Sequence, residues 1–319
     1  MTPGPGGYLF AYFTSAAEEQ GEQIRFARST GPDPLRWQVL NGGQPVLRSD
    51  VGELGARDPF LLRAAGLPGE EARYYLLATD LCIASRNQAT AWEDCVRSGS
   101  RCILVWESSD LVSWSEPRLV EIAPPQAGNA WAPEATFDPT TGSYLVYWAS
   151  TLHDDDTPRA GYHRMLCANT TDFRTFTAAR IWIDRGWSVI DCTVVESGGC
   201  YYRFSKDELS ADSSRPQAKH ITVERSTTLA STDYTPVATG VGGNELAHGE
   251  GSIVVRGADQ WFLFIDEFGL RRYTAFTSDS LDARIWTPVA SDLPPGASHG
   301  SILTLTQDEY ARLDSLGPR

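Results

Sequence analysis

Five ionisable residues stand at the heads of short β-prone runs. They are Asp58 in Ala-Arg-Asp-Pro-Phe, Glu134 in Trp-Ala-Pro-Glu-Ala, Asp191 in Val-Ile-Asp-Cys-Thr, Glu250 in His-Gly-Glu-Gly-Ser and His299 in Ser-His-Gly-Ser. A strand that starts facing a core is ordinarily apolar there, because a buried carboxylate is costly unless paired. Carboxylates gathered in an aromatic-lined funnel can cleave a glycosidic bond. One acid protonates the leaving oxygen while another carboxylate activates water or attacks carbon. Crowding raises the pKa of one of them by charge repulsion, which keeps a proton available near neutrality. Trp131 and Trp187 lie beside these acids and offer faces on which a sugar ring can stack.

Each residue also has a structural reading. Asp58, ahead of Pro59, fits a turn-capping role. Glu134 fits a residue behind the site or the partner of an arginine. Asp191 fits the cap of a strand start. Glu250 sits between Gly249 and Gly251, which suit either a close ligand approach or a plain turn. His299 is read as a hydrogen-bonded axial histidine, a metal ligand or a substrate contact. Arg271, next to Arg272, is either a cation for the pocket and its acids or surface charge.

The elements that must hold these residues repeat. Ser29–Leu40, Ser108–Val120, Thr170–Ile183, Ser226–Ala238 and Thr277–Ala290 each carry Ser or Thr, usually an Asp, then an aromatic and a β-prone run. The aromatics are Trp37, Trp114, Phe176, Tyr234 and Trp286, spaced 77, 62, 58 and 52 residues apart. Between them lie pairs of strand-like runs such as PFLLR with RYYLLATD and SIVVR with QWFLFID, bounded by turn residues. TTG at 140–142 and SGG at 197–199 read as hairpin turns. Helical periodicity is confined to a weak signal at Gln307–Leu316. Four-stranded units at this period indicate an all-β, five-bladed β-propeller, since one such sheet cannot cover both its faces alone.

The N-terminal unit (Tyr8–Thr14, Gln23–Ser29, Trp37–Leu40) supplies three strands, and His299–Leu305 is a strand without a blade. Pairing them closes the ring and removes a free sheet edge. The whole chain, residues 1–319, is therefore expected to be one propeller. A long insert, Leu81–Arg101, interrupts the second unit and can wall one side of the funnel, with Trp92 available for stacking.

Composition narrows the partners. The 319 residues are 41% apolar and 21% charged, an ordinary globular balance. With 41 acidic against 27 basic residues the net charge is −14, which repels nucleic acid and anionic membrane and suits a neutral substrate. Asp154-Asp155-Asp156 reads as a solvated loop. No apolar run is long enough to cross a bilayer as a helix. Met1–Gly7 has neither a basic nor an apolar leader character, so a cytoplasmic location is expected, with secretion open for a trimmed chain. Cys82, Cys95, Cys102, Cys167, Cys192 and Cys200 show no zinc-type spacing; either one bridge forms among the first three or all are free thiols.

Arg-Asp-Pro at 57–59, Trp-Ala-Pro-Glu at 131–134, Ile-Asp-x-Thr at 190–193, Gly-Glu-Gly at 249–251 and His-Gly-Ser at 299–301 occur in an order and spacing that resembles glycoside hydrolase family 43. These are five-bladed propellers acting on arabinose- and xylose-containing polymers, and the resemblance spans essentially the whole chain. It implies an inverting triad: Asp58 as general base, Asp191 as modulator of pKa and orientation, Glu250 as general acid. Inversion needs room for water, so Asp58 and Glu250 should lie about 6.5–9.5 Å apart. The resemblance also implies that His299 sits near an axial cation (Ca2+ or Na+) or water cluster, with no cofactor needed for chemistry. Two departures stand out: Glu134 replaces a commoner Asp, and the Asp58 motif follows a complete three-strand segment.

The implied activity is exo-cleavage of a terminal α-L-arabinofuranosyl residue from arabinan- or arabinoxylan-type oligosaccharides, contacted by Trp131, Glu134, Trp92, Trp187, Arg271 and His299. β-D-Xylosidase and β-D-galactofuranosidase are rivals on the same triad. A non-catalytic carbohydrate-binding propeller is the rival from another class. Neither nucleic acid nor membrane is an expected partner, and the oligomeric state is open.

Overall fold

The computed structural model describes residues 6–67, 73–153, 161–209, 219–270 and 272–317. Within them, strands form five four-stranded antiparallel sheets. Four of these sheets are built from consecutive strands. The fifth has the C-terminal strand Ser298–Leu305 innermost, followed by Gly7–Phe13, Arg25–Thr30 and Asp33–Val39. The innermost strands are Ala56–Arg63, Trp131–Asp138, Val189–Ser197, Glu250–Arg256 and Ser298–Leu305. Each touches the next, and the last returns to the first. This is a five-bladed propeller closed by both ends of the chain, as the strand inventory required.

Burial explains why no blade stands alone. The second strands, Gly7–Phe13, Tyr74–Asp80 and Ser143–Thr151, are buried along their whole length, because each lies between two neighbouring blades. Outer strands such as Arg118–Glu121 alternate between exposed and half-buried positions. Five apolar clusters fill the gaps between adjacent blades. One, for example, joins Leu9, Phe26 and Leu303 to Leu61, Leu76 and Trp106.

The repeated Ser/Thr-x-Asp element is the turn from third to fourth strand. Asp110 Oδ1 accepts the backbone N–H groups of Val112 (2.8 Å) and Ser113 (2.7 Å), and Asp172 Oδ1 those of Arg174 (2.8 Å) and Thr175 (2.9 Å). Both hairpin turns form at the expected positions, with Gly142, Gly198 and Gly199 at positive φ. The tail folds as a helix, Gln307–Arg312, under a Thr306/Glu309 capping box. Glu309 also accepts from Arg63 (2.6 Å) and Tyr74 (2.6 Å), which ties the chain end to the neighbouring blade. All six cysteines are free, so no bridge links Cys82, Cys95 and Cys102.

Candidate active site

Each of the five inner strands carries a bulge near its start. The ladder slips between Arg57 and Phe60, Trp131 and Glu134, Ile190 and Thr193, Glu250 and Ile253, and in the register of Ser298–Ser301 against Phe13–Ala11. Asp58 (φ 50), Ala132 (φ 47), Asp191 (φ 52) and Gly251 (φ 54) occupy the same bulge position in the left-handed region. Three non-glycine residues there cost of order 1 kcal/mol each, a strain that persists where the surroundings fix it and that clusters at functional sites. A bulge re-aims its side chain, here toward the propeller axis. Gly251 is required twice over. Its φ is positive, and a Cβ there would lie 2.7 Å from the His299 ring.

The register corrects the expectation that five titratable residues share one repeat position. Only Asp58, Asp191 and His299 do. Glu250 sits one place earlier, equivalent to Arg57, Trp131 and Ile190, and Glu134 two places later, equivalent to Phe60 and Thr193.

Asp58, Asp191 and Glu250 nevertheless line one cavity of about 920 Å³, together with His299, Trp131 and Trp92. Asp58 is oriented by Thr79, whose hydroxyl donates to Oδ2 (2.7 Å) while accepting the Ala132 N–H (2.7 Å). The other oxygen, Oδ1, faces His299 Nδ1 at 3.6 Å, and Asp191 Oδ1 faces the same nitrogen at 3.7 Å. Burial opposes charge on His299, but Asp191, Asp58, Glu250 and Glu134 outweigh it and its pKa is raised. Asp191 is pushed up to about 7, by burial first and by the Glu250 and Asp58 charges, against the pull of His299 and Lys206. Burial thus favours a proton on Asp191, and the surrounding carboxylates favour one on His299.

Glu250 is held by a residue the sequence did not single out. Lys206 Nζ lies 2.6 Å from Glu250 Oε2 and 2.5 Å from Glu208 Oε1, and packs over the Phe268 ring at 4.2 Å. Lys219 pairs with the same Glu208. No hydrogen bond joins Asp191 to Glu250 among the described residues; the Glu250 charge is among the causes that raise the Asp191 pKa. Asp266, directly across the ladder from Glu250, accepts the His299 N–H (2.8 Å). Burial, then the Glu250 charge, pushes its pKa well above the usual carboxylate range.

Glu134 lies behind the cavity wall rather than in it. Thr193 Oγ1 donates to it at 2.6 Å and the Tyr147 hydroxyl stands at 3.4 Å; among the described residues no arginine pairs with it. Burial pushes its pKa up to about 8. Between the unfolded value of 4.5 and about 8 only the unfolded chain ionises at this position, so stability falls as pH rises. Glu134→Gln removes that loss. Its unfolding free energy should match wild type near pH 4.5 and exceed it increasingly toward pH 8, by about 1.4 kcal/mol per pH unit at most, with a melting temperature that rises in parallel. Melting curves across that range check it.

The insert does wall the cavity. Leu81, Ile83, Ala84, Gln88, Trp92 and Val96 line it, and Ala91–Ser98 is a short helix with its own small apolar cluster against Trp131. The start of the insert, well ahead of this helix, is fixed by Glu22, which accepts the N–H groups of Ile83 (2.9 Å) and Ala84 (2.8 Å) and pairs with Arg57 (2.8 Å). Arg57 stacks over Phe13 and Trp92, leaving Trp92 53% exposed, edge-on to Trp131.

The remaining expectations divide. Trp187 is not a wall residue; it packs, partly buried, on the cluster containing Trp182 and Val189. Arg271 and Asp154–Asp156 lie outside the described residues. Arg272 pairs with Glu267 at 2.8 Å. No three His, Cys, Asp or Glu residues converge as metal ligands around His299 or elsewhere among the described residues.

A glycosyl hydrolase 43-related family, described as "Probable glycosyl hydrolase domain", matches residues 5–311. The chain belongs to glycoside hydrolase family 43. This family-43 domain is 35% identical over 240 residues to a protein named "Alpha-L-arabinofuranosidase" from Bifidobacterium longum subsp. longum. The match covers 70% of the chain and 22% of that protein, so the domain spans about a fifth of its relative's length. Among solved structures it is similar to a family-43 enzyme of subfamily 1 from Xanthomonas citri complexed with xylose (TM-score 0.58, 17% identity, 86% of each chain). It is also similar to a thermostable family-43 glycoside hydrolase (TM-score 0.56, 18% identity, 82% of each chain). At these identities the structural likeness speaks for the fold.

Sequence reasoning missed Thr79, Lys206 and Asp266, which face the bulges from the second strands, and Glu208 and His163 farther out. A signal existed. Thr79-Asp80, Lys206-Asp207 and Asp266-Glu267 each end a second strand with two polar residues, where an apolar run meets the funnel.

Proposed function

We propose that this family-43 domain is an inverting exo-glycosidase that releases terminal α-L-arabinofuranosyl residues from oligosaccharides. The observation that carries the reading is the meeting of Asp58, Asp191 and Glu250 in one cavity walled on one side by the Leu81–Arg101 insert. Identity with a protein named as an arabinofuranosidase supports the choice of sugar. A walled pocket favours a chain end over mid-chain binding.

In this reading Glu250 protonates the glycosidic oxygen as Asp58 takes a proton from the attacking water on the opposite face. Thr79 fixes one Asp58 oxygen and leaves the other for water. His299 Nδ1 stands between the Asp58 and Asp191 carboxylates, where a proton on the ring moderates their repulsion. Lys206, shared with Glu208, sets the position of Glu250. Trp92, edged by Trp131, offers a sugar-stacking face.

A panel of p-nitrophenyl glycosides tests the sugar. Fastest release from the α-L-arabinofuranoside supports the reading. Faster release from the β-D-xyloside or β-D-galactofuranoside replaces it with the corresponding rival, and binding of arabino-oligosaccharide without any release favours a carbohydrate-binding propeller.

A further inference from the structure

His163 borders the cavity but belongs to no part of the triad. It opens the third strand of its blade, His163–Thr170, and is 9% exposed. Its ring stacks on Trp131 with centroids 5.0 Å apart and planes at 29°. Its Nε2 lies 3.0 Å from Asn129 Nδ2.

The neighbours fix which nitrogen carries the proton. A backbone N–H can only donate, and the Thr151 N–H lies 2.8 Å from the Asn129 side-chain oxygen, so that oxygen accepts. The Thr151 hydroxyl, whose proton goes to the Val96 carbonyl at 2.5 Å, lies 3.2 Å from the same atom. The other end of the amide is therefore its NH2 group, and it donates to Nε2. An imidazole that accepts at Nε2 bears its proton at Nδ1 when neutral. Burial, helped by Lys206 and opposed by Glu208, pushes the His163 pKa down to about 4, so the ring is neutral at working pH. Nδ1 has no partner among the described residues and is not sealed from solvent, and the space His163 borders is the cavity.

We propose that His163 is a specificity-determining residue: a tautomer-locked hydrogen-bond donor, held by Asn129 and Trp131, whose Nδ1–H reads one hydroxyl of the bound sugar. This rests on the sugar-cleaving reading above. A neutral donor suits a neutral hydroxyl, and because the ring does not titrate above about pH 5 the contact is independent of pH across the working range.

Two variants test it on the full chain, with the aryl glycoside that wild type cleaves best and its singly deoxygenated analogues. His163→Phe keeps a ring against Trp131 but has no donor. It should raise KM about tenfold for the parent substrate. It should also lose all discrimination between the parent and one particular deoxy analogue, which wild type should bind about tenfold worse. Asn129→Asp keeps the acceptor for Thr151 but now accepts from Nε2–H. Its Nδ1 proton is present on the imidazolium and lost on the neutral ring, so KM should become pH-dependent and rise about tenfold through the new imidazole titration. Wild-type KM should stay flat there. Nitrogen-15 spectra should show the Nδ1–H tautomer in wild type. An Nε2–H tautomer, or His163→Phe with unchanged KM and unchanged discrimination among the deoxy analogues, overturns the proposal. A wild type that cleaves no glycoside in the panel overturns the underlying reading instead, and the tautomer measurement still reports on Asn129.

Discussion

Glu250→Gln is expected to lower kcat about 10²–10⁴-fold on substrates with poor leaving groups, because the proton donor to the departing oxygen is gone. The loss should shrink steeply as the leaving group improves, from an alkyl glycoside to p-nitrophenyl to 2,4-dinitrophenyl, since a good leaving group departs without protonation. Gln retains an oxygen that can accept from Lys206, so the 2.6 Å contact, the fold and sugar binding should persist. Calorimetric binding of an arabino-oligosaccharide at near wild-type affinity, beside a leaving-group-dependent rate loss, checks this. Equal loss on all leaving groups assigns Glu250 to another role.

Asp58→Gly is expected to remove the base and cost about 10²–10⁴-fold in kcat on every leaving group. Glycine is the apt replacement because φ is 50 at this position, a conformation glycine adopts without strain. The variant should therefore be at least as stable as wild type, which separates catalytic from structural loss. The vacated space admits azide, a nucleophile that needs no base. Azide should restore turnover and yield the glycosyl azide of inverted configuration. An active variant without azide removes Asp58 from the mechanism.

The architecture was legible because its signals are local. A Ser/Thr-x-Asp turn followed by an aromatic needs only a few residues to form, so its recurrence at Trp37, Trp114, Phe176, Tyr234 and Trp286 counts the blades directly. Closure followed from a leftover strand at each chain end. Asp58, Asp191 and Glu250 were legible as polar breaks at the heads of apolar runs. The register was not, because a bulge leaves no mark in residue type. Glu134 looks like the counterpart of Asp191 in sequence, yet lies two places further along its strand and points behind the wall. Lys206 and His163 reach the cavity from second and third strands, and their relevance comes from which strand end they occupy around the ring. Trp187 shows the converse. Proximity to Asp191 in sequence suggested a wall residue, but the backbone carries it onto the apolar cluster instead.

The central claim is that Asp58 and Glu250 act from opposite faces of one sugar with water between. Proton NMR of the first-formed product from an aryl α-L-arabinofuranoside, read before the released sugar equilibrates, tests it most directly. Inversion gives β-L-arabinofuranose first, with the α anomer following only by mutarotation. Initial release of the α anomer would contradict it, because retention requires a carboxylate to attack the carbon where this account places water.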